Sequence, residues 1–415
     1  MAQQVLMSQR EHPAVSRTRV LHVVNQVGAQ AGAEVSIRSI ILGSRTDLAH
    51  AVVVLRSEKD GLEELHAAGV PVFSPDRTLT RAGAVRHVIG ACRAFSPDVL
   101  HTTLFDADFA GRLAAWIRGG QRVVSSVVNT PYAPEARAAE RVSPRKLWVV
   151  RSVDRALARH ATSAVHAISD ATAEHARTHL GMPPERLRCV PRGRSAALLD
   201  HRTAARRQDV RARLDWGSRP VVVNVARQEP QKGHVYLVEA FARMRAAHGD
   251  ALLVLVGRSG RSTPQVNRAI EQHDVGDAVV QLGVRQDVAD LVAAADVFAS
   301  SSRYEGLGGA VVEACGIGTP VVTFDVPAVR EVVGDAHPWL VPLGDTAGLA
   351  DAIGEVLTSP ATAERVAARQ QARFRDRFEL DATVQAMVQF YEDVAAADVG
   401  HGRVRHRVPP VRVSW

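Results

Sequence analysis

The sequence predicts an α/β fold: two Rossmann-like, doubly wound domains facing each other across a cleft. Three observations carry that expectation. From Arg19 onward, short β-branched runs alternate with longer amphipathic stretches, the pattern of parallel strands joined by crossover helices. At residues 200–217 the alternation gives way to an arginine-rich polar stretch, DHRTAARRQDVRARLDWG, and then begins again. The chain has 415 residues, 46% of them apolar, enough for two separate cores.

The first series places strands at residues 20–24, 51–55, 70–73, 99–102, 122–128, 164–167 and 187–190, all in one sheet. The helical stretches between them, 33–42, 61–68, 82–95, 107–117, 145–159 and 171–180, are long enough for right-handed crossovers. The second series places strands at 221–225, 251–256, 279–282, 297–299, 320–323 and 339–341. The chain then closes with helical pattern from Asp345 to Asp398, broken near Ser359-Pro360. The expected boundaries are a flexible tail over 1–18, a first domain over 19–199, a linker over 200–217, a second domain with the C-terminal helices over 218–398, and a tail over 399–415. That last tail is basic and proline-containing, with Arg403, Arg405, Arg407, Pro409, Pro410 and Arg412, a composition that favours disorder. Two such sheets in series set their carboxyl edges across a cleft, where ligands of these sheets bind.

Composition removes several function classes. Apolar runs such as 251–256 stay far below the roughly 18 residues of a membrane-spanning helix. The first 18 residues include Gln3, Gln4, Gln9, Arg10, Glu11 and His12 and hold no apolar stretch of secretory length, which predicts a cytoplasmic protein. Cys92, Cys189 and Cys315 are too scattered for a disulfide framework or a metal knuckle and fit a reducing compartment. The formal charge of +7 raises nucleic acid, an anionic membrane surface and phosphorylated ligands as partners. Only Lys59, Lys146 and Lys232 are lysines among the 51 basic residues, so arginine abundance carries little weight and each lysine stands out. No aromatic-rich reading surface accompanies the arginines, and nucleic acid ranks last.

Three segments carry chemistry. The first strand is followed by Asn25-Gln26-Val27-Gly28-Ala29-Gln30-Ala31-Gly32-Ala33-Glu34, a turn whose glycines let backbone N–H groups approach a phosphate at a helix start, or simply join strand to helix. It is neither the dinucleotide fingerprint GxGxxG nor a GxxxxGK[ST] loop, which disfavours a nicotinamide enzyme and a P-loop ATPase. The second segment, Arg227-Gln228-Glu229-Pro230-Gln231-Lys232-Gly233, puts two cations at a strand's carboxyl end and a helix start. The macrodipole is positive there, so the placement suits a bound anion better than helix stability.

The third segment is the most specific. It runs Ser300-Ser301-Ser302-Arg303-Tyr304-Glu305-Gly306-Leu307-Gly308-Gly309, then a helix bearing Glu313 that stops at Gly318 before Thr319-Pro320-Val321-Val322. Carboxylates accept from sugar hydroxyls, and the N–H groups of Leu307, Gly308 and Gly309 suit a diphosphate. Flanked by Val312, Ala314 and Cys315, Glu313 points into crowded surroundings, so a ligand or an arginine partner is expected there.

Taken in order, the glycine turn, Arg-x4-Lys, Glu-x7-Glu and Gly-Thr-Pro-Val-Val resemble the retaining glycosyltransferases of family 4, over about residues 20–398. The resemblance implies the glycosyltransferase B fold, with a first domain for the acceptor and a second for the nucleotide-sugar donor. It implies that Arg227 and Lys232 bind the donor diphosphate, Glu305 the sugar hydroxyls and Glu313 the nucleotide ribose, while Gly32 approaches the phosphates from the other domain. It further implies a front-face reaction in which the departing phosphate takes the acceptor's proton, so that neither a strong protein base nor a cofactor is required. Fixed cations and helix N–H groups stabilise the charge that develops on the diphosphate. No metal site is expected: the acid-x-acid triplet Asp106-Ala107-Asp108 lies near a helix start rather than a strand end.

Three positions depart from the family pattern. Val128 stands where a histidine often precedes Asn129-Thr130; His101 keeps the first histidine of a common His-x-His, with Thr103 in place of the second; and Arg192-Gly193-Arg194-Ser195 replaces Asn-Gly-Val-Asp. His101 is therefore a candidate catalytic residue. A helix over 143–160, capped by Ser143 with Pro144 following, places Val149, Val150, Val153 and Leu157 in one row. Arg151, Arg155 and Arg159 form another beside Trp148, fit either for a protein core or for an anionic membrane. The leading expectation is thus a cytoplasmic, metal-independent, retaining glycosyltransferase that moves a sugar from a nucleotide diphosphate to a hydroxyl acceptor. The resemblance, rather than any residue, implies as acceptor a lipid-linked saccharide of surface polysaccharide or glycolipid synthesis; for the helix over 143–160, peripheral membrane contact stands second to packing on its own sheet with its arginines in water. A non-catalytic nucleotide-sugar-binding protein, prompted by Val128, and a nucleotide-sugar epimerase are the alternatives.

Overall fold

The computed structural model describes residues 17–28, 32–57, 61–140 and 142–397. Both terminal tails and turn residues 29–31 lie outside the described residues.

Two all-parallel sheets form the molecule. The first has seven strands, β1 (Arg19–Val24), β2 (Ala49–Val54), β3 (Val72–Phe73), β4 (Val99–Thr103), β5 (Arg122–Val127), β6 (Ala164–Ala167) and β7 (Leu187–Cys189), in the order β3-β2-β1-β4-β5-β6-β7. The second has six, β8 (Val221–Val225), β9 (Leu252–Val256), β10 (Val279–Gly283), β11 (Val297–Ser300), β12 (Val321–Phe324) and β13 (Leu340–Val341), in the order β10-β9-β8-β11-β12-β13. Helices cover both faces, which is why β9, LLVLV, reads as a continuous buried apolar run rather than an alternating one, and β8, VVVNV, departs from it only at the buried Asn224. Strand order reverses between β1 and β4 and between β8 and β11, and at such reversals the loops part to leave a crevice at the carboxyl edge.

Two segments differ from the sequence expectation. The polar stretch 200–217 holds a helix, Ala204–Arg213, that belongs to the second lobe: Val210 and Trp216 enter its core, and the guanidinium of Arg207 donates to the carbonyls of Ala293 and Ala295. Arg207 and Arg211 hold the C-terminal carbonyls of a neighbouring helix instead of lying in water. The final helix, Leu380–Ala396, expected with the second domain, crosses back onto the first. Val384, Met387, Val388, Phe390, Tyr391 and Val394 share one core with Val20, Val99, Val124 and Ala164 of the first sheet. The two crossing segments pair where they pass, Arg194 N–H donating to Phe378 O (2.7 Å) and Leu380 N–H to Arg194 O (2.9 Å).

The lobes touch. Ser169 Oγ donates to Gly306 O (2.6 Å), and the Glu331 carboxylate accepts from the N–H groups of Asp170 and Ala171 (2.8 Å each) at a helix start of the opposite lobe. Tyr304 OH donates to Glu140 (3.0 Å). Among the described residues no helix is long and apolar enough to cross a membrane.

Candidate functional site

The site builds on two loops at the carboxyl edge of the second sheet. After β8 the chain turns through 230–232 into Gly233, whose φ of +60° and whose closeness to Ser301 O, 2.2 Å from where a Cβ would stand, leave no room for another residue. Helix His234–His248 follows directly. The loop after β11 is stitched to this turn. Arg303 N–H donates to Gln231 O (2.8 Å), Ser301 Oγ to Lys232 O (3.0 Å) and Gln231 Nε2 to Tyr304 O (2.9 Å).

This stitching brings Lys232 Nζ to 2.5 Å from Glu305 Oε1, with both side chains mostly buried (19% and 10% exposed). Ser302 Oγ donates to the same carboxylate oxygen (2.7 Å), and Gln231 Nε2 lies 3.4 Å from the other. Glu305 is therefore held in one orientation by three neighbours. Arg227, on the exposed surface after β8, has no side-chain partner among the described residues and is free to meet an anion.

Gly308, at φ +88°, starts helix Gly309–Ile317, and among the described residues no acceptor takes the N–H groups of Leu307, Gly308 and Gly309. Glu313 sits in that helix, and the partner anticipated for it is present: Arg194, from the segment joining the lobes, donates through Nε to Glu313 Oε1 (2.6 Å). In the first lobe Gly32 opens helix Gly32–Gly43 and is exposed. Near the start of that helix lies a small cavity of about 10 Å³, room for little more than a water, lined by Gln26, Val27, Glu34, Ile37, Arg38 and Leu65.

His101 does not join this cluster. It is 2% exposed beneath the last helix, with Nε2 2.7 Å from Ser126 Oγ and Nδ1 2.8 Å from Tyr391 OH. Burial and the positive charge of neighbouring groups hold its pKa well below the imidazole range, so it is a neutral structural group. Of the triplet Asp106-Ala107-Asp108, Asp108 accepts from Thr102 Oγ1 (2.5 Å), lies 3.9 Å from Arg112, and is pushed up to about 6 by burial. In helix Pro144–Ala161 the predicted apolar row splits. Val150 and Leu147 pack inward, while Val149 and Val153 turn outward with Trp148, and Ser143 makes no side-chain cap.

Sequence reasoning missed four contributors: Ser302 and Gln231, which orient Glu305; Arg194, which reaches Glu313; and Gly306, where a Cβ would stand 2.0 Å from Val128 O of the other lobe. The position that departs from the family by carrying Val128 thus meets the second lobe through its backbone.

Two family models match the chain, "Glycosyl transferase 4-like domain" over residues 31–193 and "Glycosyl transferases group 1" over 206–373. Similar proteins include the alpha-maltose-1-phosphate synthase of Mycolicibacterium smegmatis, 28% identical over 80% of this chain and 91% of its own. The 2-deoxystreptamine N-acetyl-D-glucosaminyltransferase of Streptomyces fradiae is 28% identical over 83% and 80%. Among solved structures, Anabaena HepE in complex with UDP-glucose superposes with a TM-score of 0.78 over 91% of this chain and 100% of that one, at 22% identity. WaaG, a glycosyltransferase involved in lipopolysaccharide biosynthesis, superposes with a TM-score of 0.69 over 90% and 99%, at 17% identity.

Proposed function

The chain belongs to the group 1, family 4 glycosyltransferases of the two-domain B fold, and from that premise we propose that it transfers a sugar with retention, from a nucleoside diphosphate donor to a hydroxyl acceptor, without a metal ion. The observation that carries this reading is the pair Lys232–Glu305 followed on the same loop by the bare N–H groups of Leu307, Gly308 and Gly309, with Arg227 exposed after β8. HepE holding UDP-glucose supports a donor of that class.

In this reading the diphosphate lies on the start of helix Gly309–Ile317 between Arg227 and Lys232, and Glu313 takes the ribose hydroxyls. As the bond from the anomeric carbon to the phosphate oxygen breaks, the electron pair passes to the diphosphate, whose growing charge meets two cations and aligned N–H groups. The acceptor oxygen bonds to the anomeric carbon on the same face, and its proton passes to the departing phosphate oxygen. Glu305, fixed by Lys232, Ser302 and Gln231, accepts from the sugar's hydroxyls and holds the ring in place.

The acceptor proposed is a lipid-linked saccharide of surface polysaccharide or glycolipid synthesis. Exposed Trp148, Val149 and Val153 on one helix and Trp116 and Ile117 on its neighbour support peripheral contact with a membrane, beside exposed Arg145, Lys146, Arg155 and Arg159. Flotation with anionic liposomes tests this; absence of binding at low salt removes it. Val128 favours a second reading, donor binding without transfer.

The deciding experiment is thermal stabilisation by UDP, GDP and ADP in EDTA, for the wild type and Lys232→Ala, since a ligand of the folded state raises stability by RT ln(1 + [L]/Kd). One nucleotide should shift the wild type and shift the variant much less. No shift with any of them removes the donor site. Proton NMR of the product's anomeric configuration then tests retention, and slow donor hydrolysis without transfer would favour the second reading.

A further inference from the structure

Arg194 reaches both lobes at the places a donor would occupy. Its backbone is pinned on both sides by Phe378 O and Leu380 N–H, and Gly193 beside it stands where a Cβ would lie 2.6 Å from Leu380 Cα. Only its side chain can move. That side chain donates through Nε to Glu313 Oε1 (2.6 Å) and through Nη1 to Gly193 O (3.0 Å), with Ser36 Oγ of the first lobe at 3.4 Å. Nη2 stands 2.5 Å from where a Cβ on Gly309 would be, directly over the helix start.

The guanidinium thus covers the carboxylate assigned to the ribose and stands beside Gly309, the first residue of the helix whose start is assigned to the diphosphate. It holds that place against two positive neighbours, the helix N-terminus and the buried Arg192, whose own pKa is lowered to about 9 by burial and by Arg194. Glu313 is the anion that compensates it. Once ribose hydroxyls compete for Glu313, the guanidinium keeps Gly193 O but loses its paired carboxylate, with Glu34 lying beside Arg192 rather than bonded to Arg194, and the incoming negative charge is the donor's diphosphate.

We infer that Arg194 is an exchanging donor-binding residue: it neutralises Glu313 in the free protein and turns onto the diphosphate when a nucleoside diphosphate binds. This rests on the donor site proposed above and adds a third cation, contributed by the segment joining the lobes, to Arg227 and Lys232. Arginine suits the exchange because its planar fork pairs two-handed with either a carboxylate or a phosphate.

The test uses isothermal titration of the full chain with the nucleoside diphosphate that stabilises the wild type and with the corresponding nucleoside. Arg194→Met should weaken the diphosphate by about tenfold or more, the loss expected for one charge-assisted contact, while the nucleoside binds as tightly as before or more tightly. Arg194→Lys should keep diphosphate affinity within a few-fold of the wild type, and also serves if Arg194→Met does not fold. Tightening of both ligands in Arg194→Met would mean that Arg194 only obstructs the site, and equal affinities in variant and wild type would mean that it only bridges the lobes. Either result overturns the inference while leaving the donor site intact. If the wild type binds no nucleotide at all, the donor site falls and the inference with it.

Discussion

Tyr391 OH, on the last helix of the chain, lies 2.8 Å from Nδ1 of His101 in the middle of the first sheet. His101 belongs to a buried chain of polar groups that runs across five strands, from His50 and His22 on one side to Ser126 and His166 on the other. His166 Nε2 donates to Val190 O (2.8 Å), so its Nδ1 accepts from Ser126 Oγ (2.8 Å), and Ser126 Oγ in turn accepts from His101 Nε2 (2.7 Å). That direction leaves His101 Nδ1 as an acceptor, with Tyr391 as its donor. Tyr391→Phe should therefore cost about 1–2 kcal/mol, the price of an unsatisfied buried acceptor. Urea unfolding gives the loss, and hydrogen exchange should speed most within residues 380–396.

The same chain makes the fold acid-labile. Burial holds His22 and His101 well below the imidazole range and lowers His50 and His166 to about 4, with Arg192 adding repulsion at His101 and His166. These groups are neutral when folded but take up protons near pH 6.5 when unfolded, so the unfolded state binds more protons as pH falls from about 6.5 towards 4. Stability should fall through that window by several kcal/mol in order of magnitude and hold steady above it. Urea midpoints at pH 7.5, 6 and 5 read this directly, and a flat profile would contradict it.

The central strands were legible in the sequence because strands such as β9 and β12 are buried on both faces and must be largely apolar runs. What the sequence leaves open is which body a helix covers. Leu380–Ala396 has the apolar spacing of any amphipathic helix, and nothing in that spacing says that it returns to the first sheet. His101 misleads for a related reason: a polar residue within a parallel strand looks the same whether it lines a cleft or lies beneath a helix. Arg194 is hidden by composition, one arginine among many, whereas Lys232 stands out because lysine is rare here. In 204–213 the arginines suggest a solvated linker, yet three-dimensional neighbours supply carbonyls and Asp296 for them to hold.

Lys232 and Glu305 should behave as a coupled pair. With both side chains largely buried and 2.5 Å apart, Lys232→Met leaves the Glu305 carboxylate with only Ser302 and Gln231 for company. The expected cost is about 1–3 kcal/mol of stability. Adding Glu305→Gln removes the stranded charge, so the double variant should be more stable than Lys232→Met alone, a positive coupling in a double-mutant cycle. Transfer activity should not return in the double variant, because both the diphosphate's cation and the sugar's acceptor are gone. Additive stability effects would mean that the pair is not formed in solution.

Gly306 tests whether the closed arrangement is the working one. Its backbone φ lies outside the left-handed region that demands glycine, so Gly306→Ala fits its own loop. The obstruction comes from the other lobe: the added Cβ would stand 2.0 Å from Val128 O and 2.6 Å from Val128 C, and backbone cannot yield as a flexible side chain can. Each lobe keeps its own core, so the melting temperature should change little. The lobes, however, must stand apart, and small-angle scattering should show a larger radius of gyration. Donor binding, which rests mainly on the second lobe with Gly32 and Arg194 added, should weaken modestly, whereas transfer needs both lobes in register and should fall by about a hundredfold, the scale of an ångström-level misplacement of reacting groups. Unchanged transfer with an unchanged radius would show that the Gly306 to Val128 contact is not part of the active arrangement.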